Sequence, residues 1–387
     1  MSRWRKLLRV SKTESLPTAD VMRFEPLARR RLSQMAYDYV RSGGGDEISM
    51  RENRGGFERL QLSPNVLVDV SHIDTKVVLF EGEFESPILL APVAYHRLYH
   101  AEGEIGTARG ASAAGAGFVI SSLTTTSIDD IARNTNMPIW FQLYVQRDRG
   151  FTKEMVERAV AAGCKAVCLT VDTPVLGCRY LQQSFGLPKN MECVHLRGLA
   201  LKTPVTGHKT QRSSIYDMLF DPSFNWNDLE WLKKVAGVPV ILKGVLSAED
   251  GRRAVEHGAD GVIVSNHGGR NLDTVPAAID ALPRVVEAVA GRIPVMLDSG
   301  IRRGTDVLMA LALGAKAVFI GRPYVYGLAV GGAKGVERVI QILRDELERA
   351  MALTGRRSIA EIDASVLWRP NDAAGTGKAL RSPAAGA

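Results

Sequence analysis

The chain has little cysteine and little aromatic content, and these shortages exclude whole classes of function. Its four cysteines, Cys164, Cys168, Cys178 and Cys193, form no CxxC pair. No His/Cys cluster has the spacing of a zinc site, so no metal is expected. With 387 residues, 45% hydrophobic, the chain can bury a core without disulfides, and the thiols are read as reduced, in a cytoplasmic setting. Aromatic residues make up 6% of the sequence, and the arginines are spread along it with no nucleic-acid motif. The net charge of +7 is read as a solvated basic surface that favours anionic substrates. No run of 18 apolar residues is present, so no membrane-spanning helix is expected. No GxGxxG follows the first strand, which argues against a doubly wound dinucleotide fold. The C-terminal Ala-Gly-Ala carries no targeting tripeptide.

What is present is alternation. Eight short apolar runs stand at Pro87–Ala91, Phe118–Ser121, Ile139–Tyr144, Ala166–Val171, Val240–Lys243, Gly261–Ser265, Val295–Asp298 and Ala317–Gly321. Most lack polar alternation, as strands buried on both faces do. Helical patterns follow at Glu102–Ala114, Ile128–Arg133, Lys153–Ala162, Asp228–Val235, Ala248–His257, Ala277–Ala290, Gly304–Leu313 and Val336–Leu353. Gly163, Gly258 and Gly314 fall at helix ends, and Ser247 precedes Ala-Glu-Asp as an N-cap. Eight such units predict an α/β fold, a (β/α)8 TIM barrel. Helices over Leu27–Ser42 and Ile48–Phe57 precede it. One barrel spans residues 24–365. Residues 1–23 form a basic N-terminal tail and residues 366–387 a disordered tail rich in Ala, Gly and Pro. Arg3, Arg5, Lys6, Arg9 and Lys12 make the first segment a frayed basic tail, with a membrane-surface helix or a transit-like segment as alternatives. The fourth and fifth strands lie about 70 residues apart, and the excess, residues 180–227, is read as a long loop over the barrel mouth.

Barrel enzymes use the C-terminal ends of their strands. Those ends carry Ser121, Gln142 with Tyr144, Thr170 with Asp172, Lys243, Ser265 with His267 and Arg270, Asp298 with Arg302, and Gly321-Arg322. In Ser265-Asn266-His267-Gly268-Gly269-Arg270-Asn271-Leu272-Asp273, a possible base and a fixed cation are separated by two glycines. A base beside a permanent cation suits removal of a proton from an anionic substrate. The glycines allow a tight turn and the close approach of a flat ligand. Asp298-Ser299-Gly300-Ile301-Arg302 and Gly321-Arg322-Pro323 have the small residues and arginines of a barrel phosphate site, so the ligand is expected to carry one phosphate. Lys243 could stabilise negative charge, form a Schiff base, or pair with Asp298 or Asp172.

The order and spacing of these motifs resemble the FMN-dependent 2-hydroxy acid oxidase and dehydrogenase family, which includes glycolate oxidase, lactate oxidase, mandelate dehydrogenase and flavocytochrome b2. The Ser265–Asp273 stretch is close to the family signature, with Asn271 where Gln is commoner. Met35–Tyr39, Ala91–Ala94, Gln142–Tyr144, Leu169–Pro174, Lys243–Val245 and Gly321–Pro323 also match. The resemblance implies FMN as cofactor and an (S)-2-hydroxy acid as substrate, oxidised to the 2-oxo acid and with reoxidation by O2 or a quinone. It implies His267 as base with Asp172 behind it, and Arg270 and Tyr39 on the substrate carboxylate. Arg179 matches a family arginine near the substrate, and Tyr144 would meet the substrate hydroxyl or oxyanion. It places FMN on Pro92, Val93 and Ala94, its ring edge near Ser121, Gln142 and Thr170. Lys243 would face its N1/O2 edge, with Ser265 in support. Asp298, Ser299, Gly300, Arg302, Gly321 and Arg322 would form the phosphate side. Family members also suggest a homotetramer.

Departures refine this reading. Glycolate oxidase has a Trp where this chain has Leu123, so a pocket for lactate or a larger acid is expected. Cys178 is read as a packing thiol, and His96 and His100 as ordinary loop histidines. The proton taken by His267 could be that of the hydroxyl, with hydride passing to the flavin, or the α-proton. The basic N-terminus and long loop leave peripheral membrane contact, at an inner membrane face, open. An FMN-dependent isomerase of the isopentenyl diphosphate type and a non-catalytic flavin-binding barrel are the alternatives. The carboxylate site of His267, Arg270 and Tyr39 argues against the isomerase, and the presence of every expected catalytic residue argues against the non-catalytic barrel.

Overall fold

The computed structural model describes residues 16–182, 185–197 and 220–368. The basic segment 1–12, the C-terminal tail from Pro370 and the middle of the long loop lie outside the described residues. Three helices open the described chain: α1 (Phe24–Arg31), α2 (Gln34–Arg41) and α3 (Ile48–Glu58). A hairpin of β1 (Val77–Leu79) and β2 (Gly82–Phe84) follows. Eight parallel strands then close a barrel: β3 (Ile88–Leu90), β4 (Phe118–Ser121), β5 (Ile139–Leu143), β6 (Val167–Thr170), β7 (Val240–Val245), β8 (Gly261–Val264), β9 (Val295–Leu297) and β10 (Val318–Ile320). Around them lie α4 (Gly103–Ala113), α5 (Ile128–Ala132), α6 (Arg149–Ala161), α7 (Leu229–Ala236), α8 (Ala248–Glu256), α9 (Ala278–Val289), α10 (Gly304–Ala312) and α11 (Arg322–Leu353). Each strand pairs with its sequence neighbour, and β10 closes the ring on β3 through Val318–Ile88 to Ile320–Leu90. The fold is a (β/α)8 barrel.

The apolar runs divide between two cores because side chains alternate along a strand. Leu89, Val119, Trp140, Cys168, Ile241, Ile263, Met296 and Phe319 fill the barrel interior. Ile88, Leu90, Ile120, Phe141, Val167, Leu169, Val262 and Leu297 point outward, against the helices. Runs hydrophobic on both faces are therefore what this architecture demands.

The helix ends follow the sequence logic closely. Ser247 caps α8 by accepting from Asp250 N–H at 3.0 Å. Gly163, Gly258 and Gly314, just past α6, α8 and α10, all have positive φ. Two expected helices divide differently. Leu27–Ser42 is not one helix: the chain is extended at Leu32, and Ser33 caps a fresh start by accepting from Ala36 N–H. The last element begins at Arg322, and the expected helix Val336–Leu353 is its second part. It breaks at Gly331 and Gly332, where Glu102 accepts from Ala333 N–H at 2.8 Å.

The β1–β2 hairpin has no counterpart in the eight-unit sequence pattern. It plugs the N-terminal end of the barrel. Leu79 and Phe84 are buried with the interior cluster, and Phe80 meets Trp140 edge-on at 5.6 Å between ring centres. Three-residue strands carry too short a periodicity to register in a sequence window. Replacing Phe84, 2% exposed, with Ala should cost about 3–5 kcal/mol in urea unfolding. Val78→Ala on the exposed face of the same hairpin should change stability by no more than about 0.5 kcal/mol.

Candidate active site

The expected signature loop is a left-handed turn. His267, Gly268 and Gly269 have φ of 58°, 66° and 70°. A histidine there is strained by its Cβ, and such strain clusters at functional sites. A Cβ on Gly269 would stand 2.5 Å from Met50 N, so only glycine lets α3 approach this closely. The turn is tied to α3 by a reciprocal amide pair: Asn53 and Asn266 each donate to the other at 2.8 Å. Asp273 accepts the backbone N–H groups of Asp46, Ile48 and Ser49, capping α3 from another part of the chain. The N-terminal helices are thereby clamped over the barrel mouth, and α2 delivers Tyr39 with Arg270 over its ring at 5.3 Å.

Behind the turn runs a buried polar chain. Lys243 forms an ion pair with Asp298 at 3.0 Å and donates to Ser265 Oγ at 3.0 Å. Ser265 Oγ also accepts from His267 N–H. Ser299 Oγ donates to Asp298 and accepts from Gly268 N–H. Of the sequence-stated options for Lys243, the Asp298 pair is the one made. Burial would strip the lysine's proton, but Asp298 and Asp172 outweigh it and raise its pKa.

His267 Nδ1 lies 3.0 Å from Asp172 Oδ1. With the carboxylate accepting from Nδ1–H, the Nε2 lone pair is left free. Burial lowers the imidazole pKa, and Asp172 offsets this only in part. Burial would raise the Asp172 carboxyl, but His267 and Lys243 hold it below its ordinary value. Asn271 donates to the Asp172 carbonyl at 2.9 Å and to Thr173 Oγ at 2.7 Å, fixing the segment that carries Asp172.

A cavity of about 400 Å³ opens above these groups. Its wall includes Tyr39, Pro92, Val93, Ala94, Ser121, Leu123, Gln142, Tyr144, Thr170 and Arg179. Lys243, His267, Arg270, Asp298, Ser299, Gly300, Arg302, Gly321 and Arg322 complete the expected set on that wall. Asp172 and Ser265 stand one layer back, behind His267 and Lys243. Gln142 links Ser121 and Thr170 across three strands. Sequence reasoning missed Tyr95, Phe185 and Phe220, which also line the cavity. Phe185 stacks on Tyr39 at 4.3 Å and Phe220 on Tyr144 at 4.3 Å. Both lie in the long loop after β6, whose length was the one available signal. Two expectations need correction. Cys178 is exposed rather than packed, because its turn is held through its carbonyl, which accepts from Gly45 N–H. His96 does lie in the loop between β3 and α4, but fully buried, between Thr107 and Tyr324.

The cations of the cavity decide what it can hold. Arg270 donates to the carbonyls of Val40 and Ser42, and Arg322 to those of Val40, Ser42 and Gly268. Arg302 reaches the carbonyl of Ile301. None of the three forms an ion pair among the described residues. Burial and neighbouring Arg270 pull the Arg322 pKa down to about 9, and the same two causes bring Arg179 to about 10. Arginine stays charged at physiological pH, so this depression registers an unmet demand for anions. Gly321 supports the same conclusion: a Cβ there would meet only Val93, at 3.9 Å, so the backbone faces open space beside Arg322. A phosphate on the Arg302/Arg322 side and a carboxylate on the Arg270/Arg179 side fit this charge pattern, with room between for a flat ring.

A model of the FMN-dependent dehydrogenase family matches residues 28–369. The chain belongs to the FMN-dependent 2-hydroxy acid oxidase and dehydrogenase family. An L-lactate oxidase of Nostoc is 47% identical over 355 residues, covering 90% of this chain and 97% of that protein. Glycolate oxidase of Spinacia oleracea is 46% identical over 348 residues, covering 89% and 94%. Among solved structures, an active chimera of (S)-mandelate dehydrogenase superposes with a TM-score of 0.83 at 35% identity, over 90% of this chain and 99% of that one. Mandelate oxidase superposes with a TM-score of 0.81 at 37% identity, over 91% and 98%. This member of the family is an FMN-dependent oxidoreductase of 2-hydroxy acids, and the unpaired arginines fit the phosphate of that cofactor. Among the described residues, no group of His, Cys, Asp and Glu could hold a metal, and no helix is long and apolar enough to cross a membrane.

The His267–Asp172 geometry carries a signed expectation. Asp172 raises the imidazole pKa against burial, so Asp172→Asn should lower it further. Titration of the His267 ring by NMR would show this, and an upward shift would contradict the assignment.

Proposed function

We propose that the enzyme oxidises an (S)-2-hydroxy acid of lactate size or larger to the 2-oxo acid, with His267 as the base. The observation that carries this reading is one cavity presenting a carboxylate-backed imidazole beside an arginine that, among the described residues, has no acidic partner. FMN, when bound, supplies the acceptor for the two electrons that leave the substrate carbon. Pro92, Val93 and Ala94 would form its platform, Ser121, Gln142 and Thr170 would meet its ring edge, and Ser265 would support Lys243. Ser299, Gly300, Arg302, Gly321 and Arg322 would hold its phosphate side, with Asp298 keeping Lys243 in place.

The substrate carboxylate would be gripped by Arg270, assisted by Tyr39, whose phenol burial keeps protonated, and by Arg179. That grip places the C2 hydroxyl between His267 and Tyr144. His267 Nε2 takes the substrate proton, and Asp172 stabilises the imidazolium that results. The phenol of Tyr144, its pKa raised by burial and by Asp172, remains a donor to the substrate oxygen. Lys243, held as a cation by Asp298, would supply positive charge beside the bound cofactor's ring. Phe185 stacked on Tyr39 and Phe220 stacked on Tyr144 add apolar wall beside the two phenols.

Substrate size is set at Leu123 and the aromatic rim. Leu123, Leu176, Leu196, Tyr95 and Phe185 make that part of the wall apolar, which favours a hydrophobic side chain on C2. O2 or a quinone takes the electrons onward, and a homotetramer is the assembly proposed. Reoxidation of substrate-reduced enzyme by O2 against a soluble quinone analogue tests the acceptor.

His267→Gln should retain FMN yet abolish anaerobic bleaching of the flavin by lactate, a loss of at least about 100-fold for a general base. Bleaching at the original rate would remove His267 from the mechanism. Activity should fall as pH drops through the His267 pKa, because protonation fills Nε2. The lowered pKa puts that fall below the ordinary histidine range of about 6.5. Leu123→Trp should move the ratio of kcat/KM toward glycolate and away from aryl hydroxy acids. A ratio unmoved by the indole would sink the size assignment.

A further inference from the structure

The carboxylate of Glu104, fully buried at the start of α4, plays no part in the chemistry described above. No lysine or arginine pairs with it among the described residues. Instead four donors converge on it. His96 N–H and Thr125 N–H reach Oε1 at 3.1 and 2.8 Å. The Thr125 hydroxyl spans both oxygens at 3.0 and 2.7 Å, and the Thr126 hydroxyl reaches Oε2 at 2.8 Å. Burying an anion without a cation is costly, and a helix-to-loop contact alone does not need one. Four donors around one anion fix the groups that carry them far more tightly than neutral contacts would.

Those donors come from two loops, and each loop carries a residue of the cavity wall. His96 follows Tyr95, held in a left-handed conformation at φ 60°. Thr125 and Thr126 follow Leu123. The two wall residues are themselves joined, Tyr95 N–H donating to the Leu123 carbonyl at 3.0 Å. The third loop of the mouth rests on the same base, since Val194 N–H donates to the Thr124 carbonyl at 3.0 Å and Leu196 lines the cavity. On the other side, His96 contacts Tyr324 Oη, which donates to the Ala91 carbonyl at 2.8 Å, next to the Pro92–Ala94 wall.

We infer that Glu104 is a positioning residue for substrate selection, one that locks the Tyr95 and Leu123 loops into a single register and so fixes the shape of the apolar end of the pocket. Removing the carboxylate leaves four buried donors unpaired, including two backbone N–H groups, and the loops relax to satisfy them elsewhere. The proposed base, its carboxylate and Lys243 come from β6, β7 and the β8 turn, away from these loops, so with FMN still bound on the adjoining Pro92–Ala94 segment the damage falls on discrimination and KM more than on kcat. Glutamine should largely rescue. Its oxygen can serve the two N–H groups at Oε1, and its amide can donate to the threonine hydroxyls, which rotate to accept.

The inference rests on the proposed reading of the substrate pocket. The test is the ratio of kcat/KM for mandelate to that for glycolate, measured on FMN-loaded enzyme with melting temperature and flavin absorbance recorded alongside. Glu104→Ala should change that ratio at least tenfold, mostly through KM, while Glu104→Gln stays within about threefold of the parent. Thr125→Val with Thr126→Val, which removes two hydroxyl donors and leaves the carboxylate, should move the ratio in the same direction by at least threefold. That second variant decides the matter if Glu104→Ala does not fold. A purely structural role would lower stability and total activity while leaving the ratio unchanged, and an unchanged ratio in the threonine variant overturns the inference. Failure of the parent enzyme to oxidise either acid would overturn the functional reading instead.

Discussion

The turn from Ser265 to Asp273 is the constraint on which the rest of the mouth depends. It leaves β8 in left-handed geometry, and that geometry throws His267 toward Asp172 and Arg270 toward Tyr39 in the space of four residues. A histidine in this region costs about 1–2 kcal/mol in backbone strain. The strain is held in place by fixed contacts on both sides. Asn266 is locked to Asn53, Ser265 receives Lys243, and Asp273 caps α3. The turn therefore does two jobs at once: it presents the His267 imidazole, the proposed base, and it fastens the N-terminal helices over the barrel. Without the second, Tyr39 would have no fixed relation to the first.

Charge in the cavity is arranged by the same economy of partners. Lys243 and Asp298 satisfy each other, so the lysine is fixed as a cation at a known place. His267 and Asp172 likewise form a closed pair. The three arginines are left facing carbonyl oxygens, which stabilise a guanidinium but do not neutralise it. Paired charges set geometry; unpaired ones set affinity. A ligand carrying one anionic group toward Arg302 and Arg322, and a second carrying a carboxylate toward Arg270, completes the balance.

Much of this was legible in the sequence, for physical reasons that can be named. Buried parallel strands read as unbroken apolar runs, so β3 to β10 fall where those runs stand, Phe118–Ser121 to the residue. Barrel chemistry sits at strand ends, so His267, Asp172, Lys243 and the arginines could be placed on one face from their positions alone. What could not be read depends on contacts between distant segments. The hairpin that plugs the barrel is too short for periodicity, and its role exists only once Phe80 meets Trp140. The cap that Asp273 places on α3 joins residues more than two hundred positions apart. His96 looked like an ordinary loop residue because nothing near it in sequence announces Tyr324, which closes over it from α11.

The division between strand ends and loops has a further consequence. His267, Asp172, Lys243 and Asp298 are bonded to one another or to the strands that carry them, and none of these bonds passes through the Tyr95 or Leu123 loop. Leu123, Tyr95, Phe185 and Phe220 make the walls that a substrate side chain would touch, and they come from loops of different lengths and origins. Under the proposed function, selection by shape and the proton transfer would be carried by separate sets of bonds. A change at Leu123 or in the long loop can alter which acid enters without disturbing the imidazole or its carboxylate. On the proposed reading, the barrel would fix the reaction and the loops would choose the molecule on which it is performed.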